Sequence, residues 1–171
     1  PSGKMGVSLT SVEKLKRAVE MARDNKLQLA VHAMGDKAIQ TVIDVTKDMK
    51  PWLTTMPSVR IEHASLMTDQ MFAEIANSEM NYALVTQPIF FFAEDESYRH
   101  YLSPAQFKLA YRVKTMLNSQ AMLGLSSDAP CTPWAEPDSP FYSLYAAVTR
   151  KAANDDVVYA EEAITLPQAI L

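Results

Sequence analysis

Cysteine is almost missing from this chain. One residue, Cys131, in 171 excludes an internal disulfide and any cysteine-built zinc finger. No apolar run approaches the roughly 20 residues that cross a bilayer, and residues 1–10 lack the apolar core of a signal peptide. Basic charge is not in excess either. Sixteen Lys and Arg stand against 20 Asp and Glu, a formal net charge of −4, so electrostatics give no reason to expect nucleic acid or an anionic membrane as partner. Neither a Gly-x-Gly-x-x-Gly fingerprint nor a phosphate loop is present. These absences predict a cytoplasmic protein with no nucleic-acid and no membrane partner.

What is present reads as an ordinary globular domain. Hydrophobic residues make up 48% and charged residues 21%, and the length suits a single domain over 1–171 with a sizeable core. Both ends look unusual. The first residue is Pro1, and 165–171 reads as the opening turn of a helix, with Thr165 as N-cap and Pro167 tolerated in the first turn. A helix of one turn has no independent stability. The expectation is therefore a piece of a longer protein.

Helical and strand-like stretches alternate. Leu9, Val12, Leu15, Val19 and Ala22 recur at three- and four-residue spacing and predict a helix over 8–26, capped by Thr10 or Ser11. A buried strand over 27–31 ends at His32. Gly35 and Asp36 break it, with Asp36 capping a helix over 37–50. After a loop marked by Pro51 and Pro57, a second strand over 58–62 ends at His63. Thr68 caps a helix over 69–77. A third strand over 82–87 is stopped by Pro88. Residues 89–103, rich in Phe and Tyr, read as irregular. Ser103-Pro104 opens a helix to about 118, and a fourth strand over 120–126 leads to Asp128. A loop with Pro130, Pro133, Pro137 and Pro140 then precedes a helix over 141–152. Such alternation implies an α/β fold with parallel strands and right-handed crossovers. Two architectures compete: half of a (β/α)8 barrel, with its ligands at the carboxyl ends of the strands, and a doubly wound sheet.

Three blocks carry the chemistry: Val31-His32-Ala33-Met34-Gly35-Asp36, Arg60-Ile61-Glu62-His63-Ala64, and Gly124-Leu125-Ser126-Ser127-Asp128-Ala129-Pro130. Each is an apolar run ending in a side chain able to bind metal. With Gln87-Pro88 and the later Tyr145-Ala146-Ala147-Val148-Thr149-Arg150, this ordered set resembles the amidohydrolase superfamily of metal-dependent hydrolases. More narrowly, it resembles the amidohydrolase-3 branch of YtcJ-like and formamide-deformylase-like proteins. The resemblance covers nearly the whole chain. It implies a partial TIM barrel whose four strands are the fifth to eighth of the family's eight, the C-terminal half of a catalytic barrel. His32 and His63 would then be metal ligands, and Asp128 both a ligand and the base that takes a proton from the attacking water. One or two divalent ions, zinc above all, and a small-molecule substrate are implied with them. The family's His-x-His pair, its bridging residue of strand four and its small β-sandwich have no counterpart here.

Imidazole and carboxylate suit zinc and similar ions, and the implied reaction is hydrolysis of an amide-type carbon–nitrogen bond through an activated water. Blander readings stand beside this one. A histidine at a strand end is often structural, and an aspartate in Asp128's place often caps the following segment. Asp36 is a helix cap or a group that orients a ligand. Glu62, adjacent to His63 on a strand, points to the opposite face. Gln87 faces the rim and could hydrogen-bond a substrate. Arg99 could bind an acidic substrate group or simply be solvated, and His100 has no partner in view. Ser126 and Ser127 are not nucleophiles, because Asp128 stands where a nucleophile elbow needs glycine. Four strands leave two open sheet edges, so self-association into a homo-oligomer is expected. A second reading is a non-catalytic half-barrel without a complete metal site; a third is a doubly wound binding module that takes its ligand without metal.

Overall fold

The computed structural model describes residues 7–131 and 136–170. Residues 1–6, Pro133 of the expected proline-rich loop and Leu171 lie outside the described residues.

The strands β1 (Leu29–Ala33), β2 (Val59–His63), β3 (Tyr82–Thr86) and β4 (Met122–Leu125) form one parallel sheet in the order β1-β2-β3-β4. Spatial order follows chain order without reversal, whereas a doubly wound sheet reverses at its switch point. The helices agree. Helix α1 (Val12–Asp24) contributes Leu15 and Val19 to one core, α2 (Asp36–Thr46) contributes Ile39, Val42 and Ile43, and α3 (Asp69–Asn77) contributes Met71 and Ile75. All of them belong to one hydrophobic core with Val59, Ile61 and Leu84, so these three helices cover the same face of the sheet. The fold is thus a partial (β/α)8 barrel, as the sequence blocks implied, and not a doubly wound sheet.

The other face is the concave one. Strand alternation and register place Ala30, Arg60, Ala83 and Met122 in one row, and His32, Glu62, Val85 and Gly124 in the next. A closed barrel fills such rows with side chains from the remaining strands. Here Met122 is 62% exposed, and Arg60 and Glu62 answer one another with an ion pair.

Local chemistry sets the ends of the elements. Ser11 caps α1, accepting from the Lys14 backbone N–H at 3.3 Å. Thr68 caps α3 and Thr165 caps α8 (Leu166–Ile170), both as expected. Asp36 does not cap α2. Gly35 occupies that position, and Asp36 is the first helical residue, its carboxylate accepting from the Lys37 backbone N–H at 2.8 Å.

Two expectations fail between β3 and β4. The segment read as irregular is a helix, α4 (Pro88–Tyr101), with Pro88 in the first turn, where its missing N–H is harmless. It bends at Glu94 (φ −126°), where the carbonyl of Phe92 accepts from the Ala153 N–H at 2.8 Å. A helix kinks where an outside donor enters its ladder. Conversely, the single helix expected over 104–118 is two short pieces, α5 (Pro104–Phe107) and α6 (Val113–Leu117). Ala110 bridges to Leu66 and Tyr111 takes a left-handed φ of 51°, which pulls the chain onto the exit of β2. Beyond β4, α7 (Pro140–Thr149) closes the layer against α4, with Phe92 between Tyr142 and Tyr145.

Burial raises the Glu94 carboxyl above its ordinary pKa. The folded state therefore binds this proton more tightly than the unfolded one. The resulting stability is full below the ordinary carboxylate pKa and is lost as pH rises through the raised value. Glu94→Gln stays neutral at every pH. Thermal melts should show the variant more stable than the parent at pH 7 and close to it at pH 4. An equal gain at both pH values would mean that ionisation is not the cause.

Candidate functional site

The carboxyl ends of β1, β2 and β4 bring three of the expected residues together. The rings of His32 and His63 lie 4.3 Å apart, edge to face at 71°. His63 Nε2 stands 4.0 Å from Asp128 Oδ2. Phe90, in the first turn of α4, stacks on His63 at 6.0 Å.

His32 reaches this place by simple alternation, on the concave face with Ala30. His63 does not. It has the parity of Val59 and Ile61, which point into the helix-side core. Its backbone turns left-handed instead, with φ 69° at His63 and 45° at Ala64. Rotation about N–Cα from an extended φ swings Cβ across the strand, and the imidazole meets His32. The turn is clamped on both sides. Ala64 N–H donates to Ala33 and Leu66 N–H to Met34, at 3.1 and 3.2 Å, while Tyr111 N–H donates to the Ser65 carbonyl at 2.9 Å. A left-handed non-glycine residue persists only where its surroundings over-determine it, and such residues cluster at functional sites. Asp128 is also left-handed, at φ 54°, and its carbonyl accepts from Cys131 N–H at 2.8 Å.

The same turn corrects the expectation for Glu62. Register sets Glu62 opposite His32 on the concave face, and its charge acts on His63. The two neighbours do not point apart.

Burial, and next the adjacent His32, hold the His63 imidazole below its ordinary pKa; Asp128, Gln87 and Glu62 pull the other way. The ring is therefore neutral at pH 7, the state in which histidine binds metal. Two imidazoles in contact and a carboxylate beside them are donors that suit a divalent ion. Ligands of one zinc at about 2.0–2.2 Å stand roughly 3–4 Å from one another, and the His63–Asp128 separation falls at the upper end of that range. Among the described residues, no three His, Cys, Asp or Glu side chains are already arranged as a metal cluster. The set is partial, with His32 exposed on an edge strand.

Gln87, the residue just before α4, is 2% exposed, and its Nε2 donates to Ser126 Oγ at 2.9 Å. It turns inward to His63 and Ser126 rather than outward. Asp36 binds the Lys37 backbone as described above. Arg99 is engaged by Asp95 at 2.7 Å, and His100 lies against Tyr101 near the far end of α4. The sequence excludes Ser126 as a nucleophile; its role as Gln87's partner carries no sequence signal, because it depends on the register between β3 and β4. Four buried polar atoms that lack a hydrogen-bond partner follow the ends of β2 and β3: His63 Nδ1, Ser65 Oγ, Thr86 Oγ1 and Gln87 Oε1. Among the described residues, no helix is long and apolar enough to cross a membrane.

Comparison with known proteins identifies the family and the fold. A Bacillus subtilis protein assigned to the amidohydrolases, YtcJ, is 28% identical over 150 residues, which are 88% of this chain and 27% of that protein. An N-substituted formamide deformylase of Arthrobacter pascens is 26% identical over 84% of this chain and 26% of its own length. The crystal structure of an uncharacterized metal-dependent hydrolase from Pyrococcus horikoshii OT3 superposes with a TM-score of 0.81 at 31% identity, covering 98% of this chain and 32% of that one. A Pyrococcus furiosus hydrolase described in the same words gives 0.75 at 30%. The chain thus spans about a quarter of its curated relatives and about a third of the solved ones. The amidohydrolase family model of the amidohydrolase-3 branch matches residues 4–170, a span that holds every block converging on the rim, and on that ground this chain belongs to the amidohydrolase family.

Proposed function

We propose that the chain is the C-terminal part of the catalytic barrel of a metal-dependent hydrolase that cleaves amide-type carbon–nitrogen bonds in small molecules. Its strands β1 to β4 would be the fifth to eighth of the family barrel. The observation that carries this reading is the meeting of His32, His63 and Asp128 at one rim, from three separate strand ends. A relative named for formamide deformylation supports the carbon–nitrogen assignment.

In this reading His32, His63 and Asp128 hold a divalent ion, with zinc the best match to two imidazoles and a carboxylate. Such an ion supplies Lewis acidity, lowering the pKa of water and polarising a carbonyl. Asp128 accepts the proton of the attacking water and passes it to the leaving nitrogen. Its partial exposure leaves it open to solvent and substrate. His63, neutral and packed against Phe90, keeps its orientation while Asp128 cycles. Elemental analysis of the purified chain after dialysis against zinc tests the assignment. Retained zinc is the expected result, and its absence would overturn metal binding by this set.

A second reading, a half-barrel that pairs with a copy of itself, has its own support. Apolar side chains are exposed along both flanks: Val12, Met21 and Leu27 beside β1, and Met122, Leu166 and Ile170 beside β4. The edges at β1 and β4 are parallel and unpaired among the described residues, so two copies could close edge to edge into eight strands. Sedimentation velocity over a range of concentrations should show a dimer. A monomer at the highest concentration would exclude it.

A further inference from the structure

Asp128 follows a strand at the edge of the sheet, with β3 as its neighbour on one side only. β4 ends at Leu125, in register with Thr86. Ser126 continues the ladder by one step, its N–H donating to the Thr86 carbonyl at 3.0 Å. Beyond it the chain turns left-handed at Asp128, in a turn closed by the Cys131 N–H on the Asp128 carbonyl at 2.8 Å. Two residues span at most about 7 Å, so where Ser126 is held limits where the carboxylate can be.

Side chains strengthen that hold. Val85 and Gly124 share the concave row, and alternation puts Gln87 and Ser126 on the same face one step further. There Gln87 Nε2 donates to Ser126 Oγ at 2.9 Å. Gln87 is itself fixed, 2% exposed where β3 passes into α4. From the other side Ser143 of α7, also buried, donates its hydroxyl to the Ser126 carbonyl at 3.5 Å. Three groups of Ser126 thus meet three fixed partners: N–H to Thr86, Oγ to Gln87, carbonyl to Ser143.

We infer that Ser126 is a positioning residue, which with Gln87 anchors the Asp128 turn to β3 and so sets the spacing of Asp128 from His63. Reacting groups have to be held to within about 0.5 Å, and a misplacement of about 1 Å can cost on the order of 100-fold in rate. The bearing of this anchor on metal binding and proton transfer rests on the function proposed above; the anchor itself does not.

The test is amide hydrogen exchange, followed by NMR on the chain without metal. The Cys131 N–H reports on the Asp128 turn. The Ile39 N–H, which donates to the Gly35 carbonyl at 3.0 Å at a fully buried residue of α2, is the control. Ser126→Ala should speed exchange at Cys131 by about 3–10-fold, the change that loss of one hydrogen bond gives, and leave Ile39 as it was. Ser126→Thr, which keeps the hydroxyl, should restore the parent rate. Unchanged exchange at Cys131 in Ser126→Ala would overturn the inference. Equal acceleration at Cys131 and Ile39 would overturn it too, since that is a general loss of stability. If Ser126→Ala does not fold, Gln87→Met, of similar length but without the amide, decides from the other end of the bond. Calorimetric zinc titration then separates anchor from metal. Affinity about 10–100-fold weaker in Ser126→Ala supports both. Faster exchange at Cys131 with no zinc bound by the parent keeps the anchor and removes the metal assignment. Faster exchange with parental zinc affinity would overturn Ser126's part in setting the spacing of the ligands.

Discussion

Arg150→Met is expected to destabilise the fold by about 3 kcal/mol, the net effect of losing charged hydrogen bonds and stranding their buried acceptors. Arg150 is fully buried at the end of α7, in a left-handed φ of 56°. Its Nε donates to the Val158 carbonyl and its Nη1 to the Tyr111 carbonyl, both at 3.0 Å. Its guanidinium lies 4.3 Å from the centre of the Phe91 ring. Burial lowers its pKa to about 10, with Glu162 and Glu161 opposing from further off, so the group stays charged under any physiological condition. The positive charge is thus met by carbonyl oxygens and a ring face, and one nitrogen, Nη2, is left without a partner. Methionine fills similar volume but leaves two carbonyls unsatisfied. For a chain of this size the loss corresponds to roughly 6–12 °C in melting temperature. Arg150→Lys should fall between the two, since one ammonium does not reproduce the planar fork. Calorimetry or thermal circular dichroism checks this. A melting point unchanged in Arg150→Met would show that the two carbonyls find other donors and that the arginine is dispensable.

The second large effect concerns metal. His63→Ala and His32→Ala should each weaken zinc binding by more than about 100-fold, beyond the 10–100-fold expected from loss of an orienting partner alone. His100→Ala should leave binding unchanged, because His100 sits against Tyr101, away from the rim. This contrast matters, since an exposed histidine can pick up zinc without belonging to any site. Calorimetric titration of the parent and the three variants reads the affinities directly. Equal losses in all three would point to adventitious coordination. A loss confined to His63→Ala would remove His32 from the ligand set and leave a weaker pair.

The alternation of elements was legible because each strand is an apolar run bounded by breakers, and because Ser11, Thr68 and Thr165 are ordinary caps. The rim was legible through His32 and Asp128, whose places follow from strand ends. His63 stands in the sequence as a candidate, but its orientation is not readable there. Period-two alternation assigns it to the helix side, and only the left-handed turn at 63 and 64 brings it to His32. The errors between Pro88 and Leu117 have two causes. Aromatic residues in α4 imitate a loop in composition, while the regular look of 104–118 hides the bridge from Ala110 to Leu66. In the second case a long-range contact overrides local propensity. Gln87's link to Ser126 was invisible for the same reason, being a product of sheet register.

The left-handed turn at His63 also sets stability against chemistry at a single residue. Histidine enters that conformation at some cost in backbone energy, which glycine does not carry and asparagine carries less. Drift toward either would relieve the backbone and erase the imidazole together. Stability and chemistry therefore pull in opposite directions at this one position, and a substitution that relaxes the turn empties one corner of the rim.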